Sequence, residues 1–116
     1  MGKTTPALLR RPWVFLACFA ALAGCGSGSR LESHLQKGRE YLENDDLAHA
    51  SIEFRNAIQI APKNVPARLL EAHTLEKMAQ IRDAAAIYQS VLELQPDNLE
   101  AQANLARIQV FAGAPE

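Results

Sequence analysis

The sequence predicts an all-α chain in which a leader segment precedes two like helical hairpins and a final capping helix. Three observations predict it. Residue types recur at one fixed offset of 34 positions, apolar side chains within each period fall at helical spacing, and turn residues separate the apolar stretches. Composition agrees, since Ala and Leu are plentiful and Gly and Pro number six each, a balance that favours helices over sheet. With 116 residues, 48% apolar and 6% aromatic, the chain has room for one small domain.

The head segment comes first. Lys3, Arg10 and Arg11 precede an unbroken apolar stretch from Trp13 to Ala23, after which the chain turns small and polar through Gly24-Cys25-Gly26-Ser27-Gly28-Ser29. Eleven apolar residues are too few to span a hydrocarbon core, which needs about 20 in a helix, but they match the apolar region of a secretory signal. The tetrad Leu22-Ala23-Gly24-Cys25 resembles the lipobox of bacterial lipoproteins. That resemblance implies a diacylglycerol on the Cys25 thiol, cleavage before it, and removal of residues 1–24. The covalent lipid would be the only non-protein group. Several acyl chains, at about 0.8 kcal/mol per buried methylene, would hold the chain on a membrane far longer than one. In Gram-negative members an Asp after the cysteine favours the inner membrane, so Gly26 implies the outer membrane, facing the periplasm. Residues 25–30 read as the lipidated cysteine and a flexible Gly/Ser tether. Cys18 would leave with the leader, so no disulfide framework remains.

The first period, 31–64, places Leu31, Leu35, Gly38, Tyr41 and Leu42 on one side of a helix. Asn44-Asp45-Asp46 supplies turn and N-cap chemistry, and Leu47, Ala50, Phe54, Ala57, Ile58 and Ala61 stripe the next helix, which Pro62 stops. In the second period, 65–98, Asn64 or a neighbour caps the entry and Pro66 sits in the first turn, where its missing amide hydrogen costs nothing. Leu69, Leu70, Ala72, Leu75 and Met78 mark that helix, and Ala84, Ile87, Tyr88, Val91, Leu92 and Leu94 its partner, ended by Pro96. Asp97-Asn98 caps a fifth helix from Leu99 to about Ala112, which occupies the region 99–116 as a cap or partial third repeat.

The 34-residue pairs are Pro62 and Pro96, Ala50 and Ala84, Phe54 and Tyr88, Ile58 and Leu92, Ile60 and Leu94, and Asn64 and Asn98, with Gly38, Ala72 and Ala106 a threefold series. This spacing of small, aromatic and proline residues resembles the tetratricopeptide repeat. In that family a small residue in the first helix lets the second approach closely, an Ala opens the packing face of the second, and an aromatic plugs the gap. Gly38, Ala50, Phe54, Ala57 and Pro62 match in the first repeat, Ala72, Ala84, Tyr88 and Pro96 in the second, and Leu105 and Ala106 in the third. Departures are His34, Arg68 and Gln102 where the family often has Trp, Lys37 and Glu71 where it has Leu, and Ala79-Gln80 in place of Gly-Asp. Because about three repeats usually make a stable stack, modest stability is expected, and the last helix would shield the second hairpin or mark a shortened copy of a longer array.

The resemblance implies protein binding. First helices of such repeats line an inner surface, here Leu35, Arg39 and Leu42, then Leu69, Leu70, His73 and Lys77, then Ala103, Asn104, Arg107, Val110 and Phe111. A groove with an apolar floor and cations along it takes an extended or helical peptide. Leu35, Arg39 and Leu70 stand where members that clamp a C-terminal carboxylate carry Lys and Asn, so that specificity is not expected. Of the 12 Lys/Arg, three lie in the leader, leaving nine against all 13 Asp/Glu; an acidic mature chain is repelled by phosphate backbones and argues against nucleic acid.

No enzyme signature appears. His34, His49 and His73 have no Cys or His at i+4 for a metal, Asp45-Asp46 reads as helix-cap chemistry, and no phosphate loop follows a strand. Neither a metal, a cofactor nor a small-molecule substrate is expected. The segment Ala50 to Asn64 running into Ala67-Arg68-Leu69-Leu70 is similar to the tetratricopeptide lipoproteins of PEP-CTERM/exosortase export and exopolysaccharide systems, and pilotin lipoproteins share the architecture. The expected function is a membrane-anchored adaptor supporting assembly or export of an envelope structure. Its alternatives are a remnant of a longer array and an accessory of a cell-wall enzyme.

Overall fold

The computed structural model describes the backbone of residues 12–113 and the side chains of residues 26–113. Among the described residues five helices follow one another: α1 (Pro12–Glu43), α2 (Leu47–Ile60), α3 (Val65–Lys77), α4 (Ile81–Leu94) and α5 (Leu99–Gly113). Residues 31–43 of α1 with α2, and α3 with α4, form two hairpins, and α5 packs on α4. This is the all-α hairpin architecture that the periodicity predicts.

The two hairpin turns are built alike. In the first, the Asp46 amide donates to the Tyr41 carbonyl (2.9 Å) and that of Asp45 to Leu42 (3.2 Å). In the second, Gln80 donates to Leu75 (2.8 Å) and Ala79 to Glu76 (2.9 Å). Both are Schellman closures, which satisfy the last carbonyls of a helix by turning one residue left-handed. Asp45 and Ala79 take that role at φ 59° and 60°. Asp tolerates the region through its short polar side chain, whereas Ala79 carries strain that glycine would not.

Entry into each following helix is fixed by polar side chains. Asp46 Oδ1 accepts from the His49 amide (3.2 Å), Asn64 Oδ1 from Ala67 (2.9 Å) and Asn98 Oδ1 from Ala101 (2.9 Å), each satisfying an orphan donor of the first turn. Arg68 Nε donates to the Pro62 carbonyl (2.8 Å) and Gln102 Nε2 to that of Pro96 (2.7 Å). These are two positions where the repeat pattern wants Trp. Here polar side chains clamp the loop between hairpins instead.

Two apolar clusters make the core. Leu35, Ala50, Phe54, Ala57 and Ala67 form the first, with Leu31, Tyr41, Leu42, Ile58 and Leu70 packed on it. Val65, Ala72, Leu75, Ala84, Tyr88, Val91, Ala101 and Ile108 form the second. Gly38 shows why its position is small: a β-carbon there would lie 2.4 Å from Phe54 Cε1, and Phe54 is wholly buried. Pro62 and Pro96 are exposed just past α2 and α4.

Three expectations change. Residues 26–30, read as a flexible Gly/Ser tether, are helical and exposed, with no described atom near a β-carbon placed on Gly26 or Gly28. Once 31–43 is held against α2, extending the helix upstream adds a hydrogen bond per residue and escapes the cost of nucleation. Leu35, assigned to the groove, is buried in the first cluster. Ala106, assigned to packing, is exposed, because no described helix covers its side of α5. The expected leader falls partly on residues 1–11, outside the described residues, and the side chains of Leu22, Ala23, Gly24 and Cys25 lie outside them too. Among the described residues no helix is long and apolar enough to cross a membrane.

Candidate functional site

Arg39, His73 and Arg107 occupy one register of α1, α3 and α5, 34 residues apart. Side chains on adjacent first helices at one repeat register line up across the stack. Arg39 is exposed, as is Lys77 one turn beyond His73, while His73 and Asn104 are half-buried. The apolar floor expected from sequence is largely consumed by packing. Leu42 and Leu70 lie half-buried against the first cluster and Leu69 against the second. What remains along this register is a polar stripe: Arg39 and Lys77 are exposed, and His73 and Arg107 lie against carboxylates.

The α3–α5 part of this stripe is knit by one network. The Tyr88 hydroxyl donates to Glu76 Oε1 (2.6 Å), the Arg107 guanidinium pairs with Glu76 Oε2, and His73 Nε2 lies 2.7 Å from Glu100 Oε1. The His73 and Tyr88 rings meet edge to face with centroids 6.0 Å apart. A buried tyrosine needs a partner for its hydroxyl, and Glu76 provides it at the position where the first repeat has Leu42. Burial first, then the Glu76 carboxylate, push the Tyr88 phenol far above its ordinary value. Against its own desolvation, hydrogen bonds from Tyr88 and Arg107 hold the Glu76 carboxyl below the usual range. Tyr88 thus stays a neutral donor and Glu76 an ionised acceptor, a pairing that closes the second hairpin, while Arg107 on the same carboxylate ties α5 to it.

Sequence reasoning missed Glu71. Its side chain is 1% exposed; Oε1 accepts from Ser51 Oγ (2.8 Å) and Arg55 Nε (3.0 Å), while Oε2 is buried with no partner among the described residues. Desolvation raises its pKa, with Ser51 and Arg55 opposing. It stands beside a cleft of about 450 Å³ among α2, α3 and α4, whose walls include Ile58, Leu75 and Ile87. The clue was present as a Glu at a position of leucine character, with Arg55 and Ser51 on the neighbouring helix.

Each histidine sits against one carboxylate: His34 Nδ1 is 2.5 Å from Glu53, His49 Nδ1 is 2.8 Å from Asp46, and His73 pairs with Glu100. The His49 contact holds Asp46 below its ordinary value. Among the described residues no three His, Cys, Asp or Glu side chains cluster to hold a metal.

Stacked hairpins joined by short capped turns, presenting regular side-chain registers along one face, define a helical-repeat module for protein interaction. The tetratricopeptide repeat family matches residues 31–64 and 65–98, more than half of the chain, and the chain belongs to that family. No curated protein matches it.

Proposed function

We propose that this protein is a lipid-anchored adaptor of the bacterial envelope, held by acyl chains on Cys25 at the outer membrane, facing the periplasm. Its repeat module takes a peptide or helix from a component of an assembly or export system, and it performs no catalytic step. The basic stripe carries the binding reading: Arg39 and Lys77 are exposed while His73 and Arg107 are already tied to carboxylates. Exposed cations flanked by paired ones favour an acidic segment in the partner, through contacts that steer association. The basic head, the apolar stretch and the Leu22-Ala23-Gly24-Cys25 tetrad support the anchor.

Crosslinking in cells followed by mass spectrometry tests the binding reading. A discrete envelope protein should be captured, and Arg39→Glu should reduce its capture about tenfold or more, the effect of some 1.4 kcal/mol. Capture untouched by charge reversal would refute the stripe. Cys25→Ser should move the protein from the membrane to the soluble fraction, and continued sedimentation with membranes would refute the anchor.

A further inference from the structure

The helix α5 stands at the register of a first helix, and the preceding repeat shows what its forward side, open among the described residues, accepts. Ala67 and Ala101, 34 residues apart, are both fully buried, so α3 and α5 each pack back on the element before them. Their forward sides differ. Val65 is 7% exposed and its counterpart Leu99 78%. Ala72 and Leu75 are buried, whereas Ala106 and Gln109 are exposed. In the inner repeat the cover is α4, whose Ala84, Tyr88 and Val91 share one cluster with Val65, Ala72 and Leu75. Over α5 the same space is open among the described residues. A hollow of about 410 Å³ lies there, with Ile81 and Ala85 of α4 on one wall and Leu105, Ile108 and Ala112 of α5 on the other. A neighbouring hollow of about 360 Å³ extends it to Phe111, and Val110 and Phe111 are 69% and 74% exposed.

We propose that this end of the stack binds an amphipathic α-helix of a partner protein. That helix carries a small residue followed four positions later by an aromatic and then, three further on, a small or branched apolar residue. Both inner covers obey this pattern, as Ala50, Phe54 and Ala57 in α2 and Ala84, Tyr88 and Val91 in α4. Ala106 has the role of Gly38 and Ala72, the small residue over which an aromatic closes. Arg82 borders the hollow, which places an acidic side chain on the polar edge of the incoming helix. A second copy of the chain does not fit the requirement: its α2 and α4 are already buried, and α5 has no aromatic four residues after a small one. The neighbouring hollow shares Arg107 and Phe111 with the α5 end of the inner surface, whereas Arg39 lies on α1, so Arg39→Glu and Ala106→Arg each report on one surface.

The test uses the full chain and a labelled synthetic peptide with the sequence of residues 81–94, the cover that the inner repeat already uses. Fluorescence anisotropy should show saturable binding, and NMR should place the perturbed amides at Leu105, Ala106 and Ile108. Ala106→Arg in the chain and Tyr88→Ala in the peptide should each weaken binding about tenfold or more. Val110→Glu gives a second exposed variant, and thermal melts by circular dichroism establish that both chain variants remain folded. Absence of saturable binding, or equal binding to Ala106→Arg, overturns the proposal. So does concentration-dependent self-association that Ala106→Arg abolishes, because a second copy would then be the occupant.

Discussion

Glu71 holds a carboxyl where the repeat pattern wants leucine, and its environment decides what that does to stability. One oxygen is held by Ser51 and Arg55, the other has no partner among the described residues, and desolvation dominates, so the folded chain keeps the proton more tightly than the unfolded chain does. A group that binds its proton better when folded contributes its full stabilisation below the ordinary value of 4.5, and that contribution is lost as pH rises through the higher folded value. Asp46 and Glu76 are shifted downward and change stability in the opposite sense. Whole-protein melts therefore mix the signs. The difference between wild type and Glu71→Gln, which mimics the protonated form, isolates the residue. Urea midpoints measured from pH 4 upward should show wild type losing ground to Glu71→Gln. A gain by wild type would mean that Ser51 and Arg55 outweigh burial. Sequence could not reveal this sign, because a glutamate at helical spacing reads as solvated until its neighbours on α2 are placed.

At the level of the element, the hairpin depends on how closely two helices approach, and Gly38 sets that distance in the first repeat. Alanine would raise helix propensity by about 1 kcal/mol, yet its β-carbon would meet the Phe54 ring well inside van der Waals contact. Phe54 is fully buried, so the ring can yield only by pushing the helices apart. Overpacking of this kind costs about 1–3 kcal/mol, which exceeds the propensity gain over most of its range. Gly38→Ala should lower the urea midpoint, and combining it with Phe54→Leu should recover part of the loss; an unchanged or raised midpoint would show that α1 shifts freely. The small and aromatic positions of the first two repeats, the proline stops and the asparagine caps were legible in the sequence, because each acts within one period. Ala106 was misread for the complementary reason. Its register is that of a packing residue, but burial depends on a neighbouring helix that the register cannot supply. Leu35 was misread in the opposite direction, since helical spacing alone does not separate an inner surface from a core beside it. Likewise the helix through residues 26–30 follows from the packed segment downstream, whereas composition alone reads as tether.

In the whole molecule each helix packs chiefly on its neighbours in sequence, which makes the stack nearly one-dimensional and its cooperativity a question about α3. That helix gives Ala67 and Leu70 to the first cluster and Val65, Leu69, Ala72 and Leu75 to the second, so neither hairpin can release it without opening the other. Phe54→Ala should cost about 3–5 kcal/mol through the cavity it leaves, comparable to the low end of the total stability of a small domain. What remains, residues 65–113, is not far above the roughly 40 residues below which chains seldom fold unaided. Damage to the first hairpin should therefore reach the second. Native-state hydrogen exchange would read it: in Phe54→Ala the amides of Ala84, Tyr88 and Val91 should lose protection together with those of α2. The Tyr88–Glu76–Arg107 network works against this by tying α5 to the second hairpin, but it includes no group from α1 or α2. If α4 keeps its protection while α2 exchanges freely, the second hairpin and α5 stand alone, and the shared helix does not couple the two clusters.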